Sequence, residues 1–109
     1  MRPDLPSKFQ SKSITSDIVL DSNDAHLFGL FVANAAGITV TLPNADEGAG
    51  DSECLVVNNS SGSVTLACPN GFPNGFDNIT LAAGASVLLY CAPVFGTSYR
   101  WASVGATAS

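Results

Sequence analysis

Short apolar segments, separated by turn-forming residues, constrain the fold of this chain more than any other feature of its sequence. From residue 13 onward the segments are rich in Val, Ile, Leu and Thr, and Gly, Pro, Asn or Asp interrupts them about every ten residues. No segment keeps the apolar period of an amphipathic helix. We therefore predict an all-β domain, a β-sandwich or jelly-roll-like fold of about eight short antiparallel strands. The predicted strands are residues 13–20, 26–33, 37–42, 53–58, 63–67, 78–81, 86–91 and 98–103.

Two connections contain the residues that tight turns require. The segment NNSSGS places Gly62 between the predicted strands 53–58 and 63–67, and the segment AAGAS places Gly84 before the strand 86–91. Each connection is expected to join neighbouring strands in an antiparallel hairpin. Helix is expected to be limited to a turn or two near residues 44–48.

Several predicted strands are apolar on both faces. Every residue of the segments 54–57 (CLVV) and 87–91 (VLLYC) is apolar, although successive side chains of a strand point to opposite faces. A strand of this kind is covered on both sides, by a second sheet, by another segment of the chain or by a neighbouring subunit. A chain of 109 residues can form few packed layers of secondary structure, so we favour coverage by a neighbouring subunit.

The low charge content favours the same conclusion. Charged residues make up 12% of the chain, whereas an ordinary soluble domain has about 25%. A lone monomer would expose a surface with unusually few charged groups. We therefore expect much of its outer surface to be buried against copies of the chain or on a larger assembly. A surface rich in uncharged Ser, Thr, Asn and Gly is the alternative.

The N-terminal residues differ from the rest of the chain. Residues 1–12 contain two prolines and no apolar periodicity, so we interpret them as an extended arm before a single β domain of residues 13–109. We expect the arm to lie across another protein, and a disordered terminus is the alternative. The apolar and basic side chains of the arm are Arg2, Leu5, Lys8, Phe9 and Lys12.

The segment PNGFPNGFDN, residues 69–78, holds two phenylalanines among turn residues. Pro and Asn-Gly favour turn conformations, so the segment is predicted to be a folded loop. We expect Phe72 and Phe76 to pack against another polypeptide, because two exposed rings on a loop favour aggregation. The alternative is that both rings cap one end of the protein's own β core.

Charge and motif content disfavour several classes of function. The net charge is −5, and the basic residues are too few and scattered for nucleic-acid phosphates. No apolar run approaches the ~20 residues that span a bilayer. The single histidine, His26, lies in a predicted strand and is interpreted as structural. We expect no nucleic-acid or membrane partner, no cofactor, no metal and no enzymatic activity.

The cysteines indicate a reducing environment. Cys54, Cys68 and Cys91 match no zinc-site spacing, and we expect no secretory signal, because the first residues of the sequence hold no apolar run. We expect free thiols that act as small core hydrophobes in a protein made in the cytoplasm. A disulfide between two of them stays open as an alternative.

Four features occur in a characteristic order along the chain: GITVTLP (37–43), LVVNNSSGSVTL (55–66), NITLAAGASVLLY (78–90) and the late Trp101. In this order the chain resembles the small β domains of tailed-bacteriophage virion proteins, over about residues 25–103. The resemblance implies a capsid decoration (cement) protein, because such domains occur as decoration proteins, often trimeric, and this chain has a short arm where a fibre protein has a long shaft. The implied partners are the major capsid protein and further copies of the chain, in the virion. The expected capsid or subunit contacts are Arg2, Leu5, Lys8, Phe9, Lys12, Phe72 and Phe76.

Two other functions stay open. A tail-fibre or tail-tip module that binds a host glycan would expose an aromatic side chain such as Tyr99 or Trp101. A small polysaccharide-acting enzyme would need two carboxyl groups from the 46–53 loop about 5–9 Å apart in a groove. Its candidates are Asp46, Glu47, Asp51 and Glu53, for which a solvated loop or a weak Ca²⁺ site are the other interpretations.

Overall fold

The protein is described here by a computed structural model that covers residues 10–20, 28–44, 52–95 and 98–106. One 3-10 turn lies at Pro73–Gly75, and none of these residues forms a helix long and apolar enough to cross a bilayer. The strands of these ranges are β1 (Gln10–Ile14), β2 (Ile18–Val19), β3 (Phe28–Ala33), β4 (Thr39–Thr41), β5 (Glu53–Asn58), β6 (Val64–Ala67), β7 (Asn78–Leu81), β8 (Ser86–Phe95) and β9 (Ser98–Val104).

The strands form two sheets, and the first six alternate between them. The five-stranded sheet has the order β1-β3-β5-β8-β9, and the four-stranded sheet has the order β2-β4-β6-β7. Within each sheet the first three strands are parallel to one another. The chain therefore winds as a coil in which each turn adds one strand to each sheet. The last strands, β7, β8 and β9, then pair antiparallel.

The prediction of an all-β, sandwich-like domain is confirmed, but the strand directions differ from the prediction. The four parallel pairs do not fit a jelly roll, whose strands pair antiparallel. The two predicted hairpins are wrong, because the connections around Gly62 and Gly84 each cross from one sheet to the other. A short polar connection containing glycine suits both a hairpin and a crossing between packed sheets. Only the long-range pairing of the strands selects between them.

One predicted strand is divided in the structure. Residues 13–20 contribute to both β1 and β2, which lie in different sheets and are separated by a corner at residues 15–17. Asp17 stabilises this corner, since its Oδ1 accepts a hydrogen bond of 2.9 Å from the backbone N–H of Thr39 on the next turn of the coil. This division accounts for nine strands where about eight were predicted.

The core lies between the two sheets. In β5, Cys54 and Val56 are buried and Leu55 is exposed, because alternate side chains face the other sheet. Burial of each large apolar side chain contributes about 1.5–3 kcal/mol, so this layer supplies most of the folding energy. The largest fully buried side chains are Trp101, Phe31, Phe72, Leu66, Ile79, Leu81 and Leu89. All three cysteines are buried, as expected for core hydrophobes.

Asparagines stabilise the edge where the chain leaves the five-stranded sheet. Asn59 donates a hydrogen bond to Asn34 Oδ1 at 2.8 Å, and Asn34 donates to Ser13 Oγ at 2.7 Å, so successive turns of the coil are linked. Beside this ladder, Asn58 is fully buried. Its Nδ2 donates to the carbonyl oxygens of Gly62, Leu81 and Ala82, and its Oδ1 accepts from Ser60. Asn58 therefore joins the two crossings between the sheets.

The expected N-terminal arm falls mostly outside the described residues. β1 begins at Gln10, so residues 10–12 of that segment are paired with β3 in the five-stranded sheet. Residues 1–9 lie outside the described ranges. So do residues 45–48 of the segment in which a helical turn was expected.

Candidate interaction surface

The outer face of the five-stranded sheet carries a row of aliphatic side chains. The register places Leu30 of β3 beside Leu55 of β5, Leu55 beside Leu88 of β8, and Leu88 beside Val104 of β9. Leu55 and Leu88 are each 38% exposed, and Val104 is 70% exposed. These exposures show that no described part of the chain covers the row.

Two further rows extend this surface. Val32 lies beside Val57 on one side of the aliphatic row, and Tyr90, 45% exposed, lies on the other side. The surface formed by Leu30, Val32, Leu55, Val57, Leu88, Tyr90 and Val104 is called the apolar face below.

Polar residues lie at several positions around the apolar face. The register places Ser11, Ser13 and Ser86 at the outer ends of its rows. Glu53 lies beside Tyr90, and Arg100 lies one row further along β9. An apolar centre with a polar rim is the usual composition of a protein–protein interface.

The outer face of the four-stranded sheet is different in chemistry. Thr39 pairs with Thr65 and Thr65 pairs with Thr80, so one hydroxyl-bearing row crosses three strands. The next row contains Asn78, Ala67, Thr41 and, on the edge strand β2, Val19, which is 71% exposed. Because each threonine offers a hydroxyl to water, this threonine face is compatible with solvent where the apolar face is not.

The loop with the repeated Pro-Asn-Gly-Phe is folded by its own hydrogen bonds. The N–H of Gly71 donates to the carbonyl of Cys68 at 2.8 Å, and Asn70 at the centre of this turn has a positive φ of 52°. Asp77 Oδ1 accepts from the N–H of Asn70 at 2.7 Å and closes the loop. The sequence prediction of a folded loop agrees with this geometry.

The loop places its two phenylalanines in different environments. Phe72 is fully buried, whereas Phe76 is 42% exposed. The backbone explains this difference, since the N–H of Trp101 donates to the carbonyl of Gly71 at 2.6 Å and holds the first half of the loop against β9. Gly71 also allows the close approach to Cys68 within this turn, because a Cβ there would overlap the sulfur of Cys68.

The expected partner contact is therefore corrected for Phe72. With no exposed area, its ring belongs to the protein's own core, whereas the alternative interpretation expected both rings to pack there. For Phe76 a contact with another polypeptide stays a prediction. Of the arm residues, Lys12 is exposed on the edge strand β1, while Arg2, Leu5, Lys8 and Phe9 lie outside the described residues.

The residues proposed for the two alternative functions are placed as follows. Trp101 is fully buried, and its Nε1 donates to the carbonyl of Pro43 at 2.9 Å, so it is not the exposed aromatic that a glycan-binding module needs. Tyr99 is half-buried against the core. Glu53 is exposed at the rim of the apolar face. The other candidate carboxylates, Asp46, Glu47 and Asp51, and also His26, lie outside the described ranges.

The titration of Cys54 fits a core position. Burial, with a smaller contribution from the neighbouring Glu53 carboxylate, raises the pKa of the Cys54 thiol to about 12. The thiol is therefore neutral near pH 7 and a poor nucleophile or metal ligand. Within the described ranges, no three His, Cys, Asp or Glu side chains gather as a metal site requires.

Sequence reasoning found part of the apolar face and missed the rest. The sequence showed that the segments 54–57 and 87–91, which contain Leu55, Val57 and Leu88, are apolar on both faces, and the structure decides which face points away from the core. Leu30 and Val104 were not singled out, because only the register of β3 and β9 aligns them with the others.

No protein-family model, curated protein or solved structure matches the chain.

Proposed function

We propose that this protein is a bacteriophage capsid decoration (cement) protein that binds the outer surface of the shell and stabilises it. It acts by burying surface against other polypeptides, without catalytic turnover. The order of the motifs from GITVTLP to Trp101, which resembles small virion β domains, supports the biological setting. The fold supports a binding role, because its two outer faces differ so strongly in polarity.

The apolar face is the observation that carries this proposal. The apolar face consists of seven apolar side chains, among them Leu88 and Tyr90, on the outer surface of the domain. These side chains are separate from the core, which lies between the two sheets. Full burial of an apolar side chain contributes ~1.5–3 kcal/mol. If about half of this free energy is still available at each of the seven side chains, covering the apolar face contributes about 5–10 kcal/mol. Association costs about 4–15 kcal/mol, so the face drives binding only together with further contacts.

The further contacts are assigned to the arm and to a polar face. In a homo-oligomer, several N-terminal arms reach neighbouring major capsid proteins at once. Multiple attachment raises the effective affinity without any single strong contact. The threonine face is uncharged and rich in hydroxyl groups, which suits hydrogen bonding to the shell. The proposed capsid or subunit contacts are Arg2, Leu5, Lys8, Phe9, Lys12 and Phe76.

Binding to capsids tests this function. Expanded capsids without a decoration layer, assembled from the major capsid protein of the virus that encodes the chain, are mixed with the full chain and sedimented. A second protein lacks residues 1–9 and keeps β1, which begins at Gln10. We expect the full chain to sediment with the capsids and to raise their disruption temperature, and the shortened chain to bind at least about tenfold more weakly.

The outcome distinguishes the parts of the proposal. If the full chain does not bind capsids, the decoration function is wrong. If the shortened chain binds as tightly as the full chain, the arm has no part in attachment. Circular dichroism of both proteins excludes unfolding as the cause of weaker binding.

A further inference from the structure

We propose that the occupant of the apolar face is a second copy of this chain, packed sheet against sheet. The inference rests on the proposed function in one respect, since it names the partner of the face that carries that proposal. It concerns the pure protein in solution and needs no capsid.

The charge of the face favours a copy of the chain over an oppositely charged partner. The whole chain carries a net charge of −5, but among the described residues the rim of the apolar face holds one acid, Glu53, and one base, Arg100. A face with one charge of each sign is neutral and can match a copy of itself. Of the other acidic groups in the described residues, Asp17 lies at the β1–β2 corner and Asp77 in the loop before β7, neither in a row of the apolar face.

The shape of the face also favours a second sheet. Two packed sheets meet through interdigitating side chains about 10 Å apart, at an angle that follows from the twist of each sheet. Two copies of one sheet have the same twist, so their outer faces fit each other without deforming either chain. Strands that are apolar on both sides, such as β5 and β8, belong in the middle layers of such a stack.

The size of the face sets the expected strength. Five strands spaced about 4.8 Å apart, and about 20 Å long, give a flat footprint of about 400–500 Å². This footprint is below the roughly 800 Å² per partner of a standard interface, even when the polar rim adds to it. We therefore expect reversible association, with a Kd of about 1–100 μM.

A matched pair of substitutions tests this assignment. Leu88→Glu places a carboxylate at the centre of the apolar face, and Thr80→Glu places the same group on the exposed face of β7 in the other sheet. Both side chains are exposed, so neither change enters the core. Light scattering over concentrations from about 1 to 500 μM measures the mass of each protein against the 11.1 kDa chain.

We expect the wild-type chain and Thr80→Glu to associate with Kd values within about threefold of each other, and Leu88→Glu to bind at least about tenfold more weakly. A wild-type chain that stays monomeric at the highest concentration overturns the inference. So does a Leu88→Glu variant that associates as well as Thr80→Glu. This measurement does not involve capsids. A failure to bind capsids would therefore not contradict self-association through the apolar face, and a failure to self-associate would not contradict capsid binding.

Cysteine labelling provides a second readout that does not depend on the added charge. The native thiols are buried, so Leu88→Cys and Thr80→Cys each add one accessible thiol. We expect the alkylation rate of Leu88→Cys to fall at least about fivefold as the concentration rises through the Kd, while that of Thr80→Cys stays constant. Equal rates for Leu88→Cys at all concentrations would contradict a copy seated on this face.

Discussion

Asn58 offers the sharpest test of how the two sheets are held together. It is fully buried, and its side-chain amide makes hydrogen bonds to both crossings between the sheets. Its Nδ2 donates to the carbonyl oxygens of Gly62, Leu81 and Ala82 at 2.8, 2.9 and 3.1 Å. Its Oδ1 accepts from the N–H of Ser60 at 2.9 Å. Asn58→Ala removes all of these bonds at once.

The expected loss follows from the number of groups left without a partner. Each hydrogen bond contributes about 1 kcal/mol net, and an unsatisfied buried group costs about 1–3 kcal/mol. Loss of the amide therefore lowers the free energy of unfolding by about 3–5 kcal/mol. Domains of this size have about 5–15 kcal/mol in total and lose roughly 4–8 °C of Tm per kcal/mol, so the Tm falls by about 12 °C or more.

The adjacent Asn59 supplies the matched control. Its side chain is exposed and donates one hydrogen bond, to Asn34, so Asn59→Ala is expected to cost about 0.5–1.5 kcal/mol. Urea unfolding followed by tryptophan fluorescence measures both variants, because Trp101 is fully buried in the folded protein. If Asn58→Ala costs no more than Asn59→Ala, the buried amide does not join the crossings, and the reasoning is refuted.

Asn58→Asp adds a dependence on pH. The introduced carboxyl faces the carbonyl oxygens of Leu81 and Ala82, which disfavour its charged form, so its pKa in the folded state rises above the unfolded value of about 3.9. Relative to the wild type, this variant is then most stable below about pH 4 and loses stability as the pH rises. An unfolding free energy that differs from the wild type by the same amount at about pH 4 and about pH 7 would contradict this placement.

Phe72→Ala is expected to cost about 3–5 kcal/mol and Phe76→Ala less than about 1 kcal/mol, measured by urea unfolding, because only the first ring is buried. Equal losses would contradict the loop geometry. The Cys54 thiol, whose pKa burial raises to about 12, keeps its proton in the folded chain, while the unfolded chain releases it near pH 8.5. Stability is thus full below about pH 8.5 and falls above it by up to ~1.4 kcal/mol per pH unit, and Cys54→Ala should flatten this decline.

The different burial of the two phenylalanines could not be predicted from local sequence preferences. The prolines and Asn-Gly pairs of residues 69–78 predicted a folded loop, because their backbone preferences are local. Which ring turns inward depends on Trp101, whose N–H holds Gly71 and whose indole reaches Pro43. Contacts over such distances in sequence leave no pattern within the loop itself.

The positions of seven of the eight predicted strands, the buried cysteines and the apolar character of both faces around Leu55 and Leu88 followed from the sequence alone, because residue type and alternation are local properties of a strand. The sheet to which each strand belongs was decided only in the tertiary structure. Parallel pairing joins residues that are far apart in the sequence, such as Phe28 and Glu53. It stabilises the fold only after the long loop between them has closed. That pairing aligns Leu30, Leu55, Leu88 and Val104 into one surface, so the apolar face is a property of the register and not of any single segment.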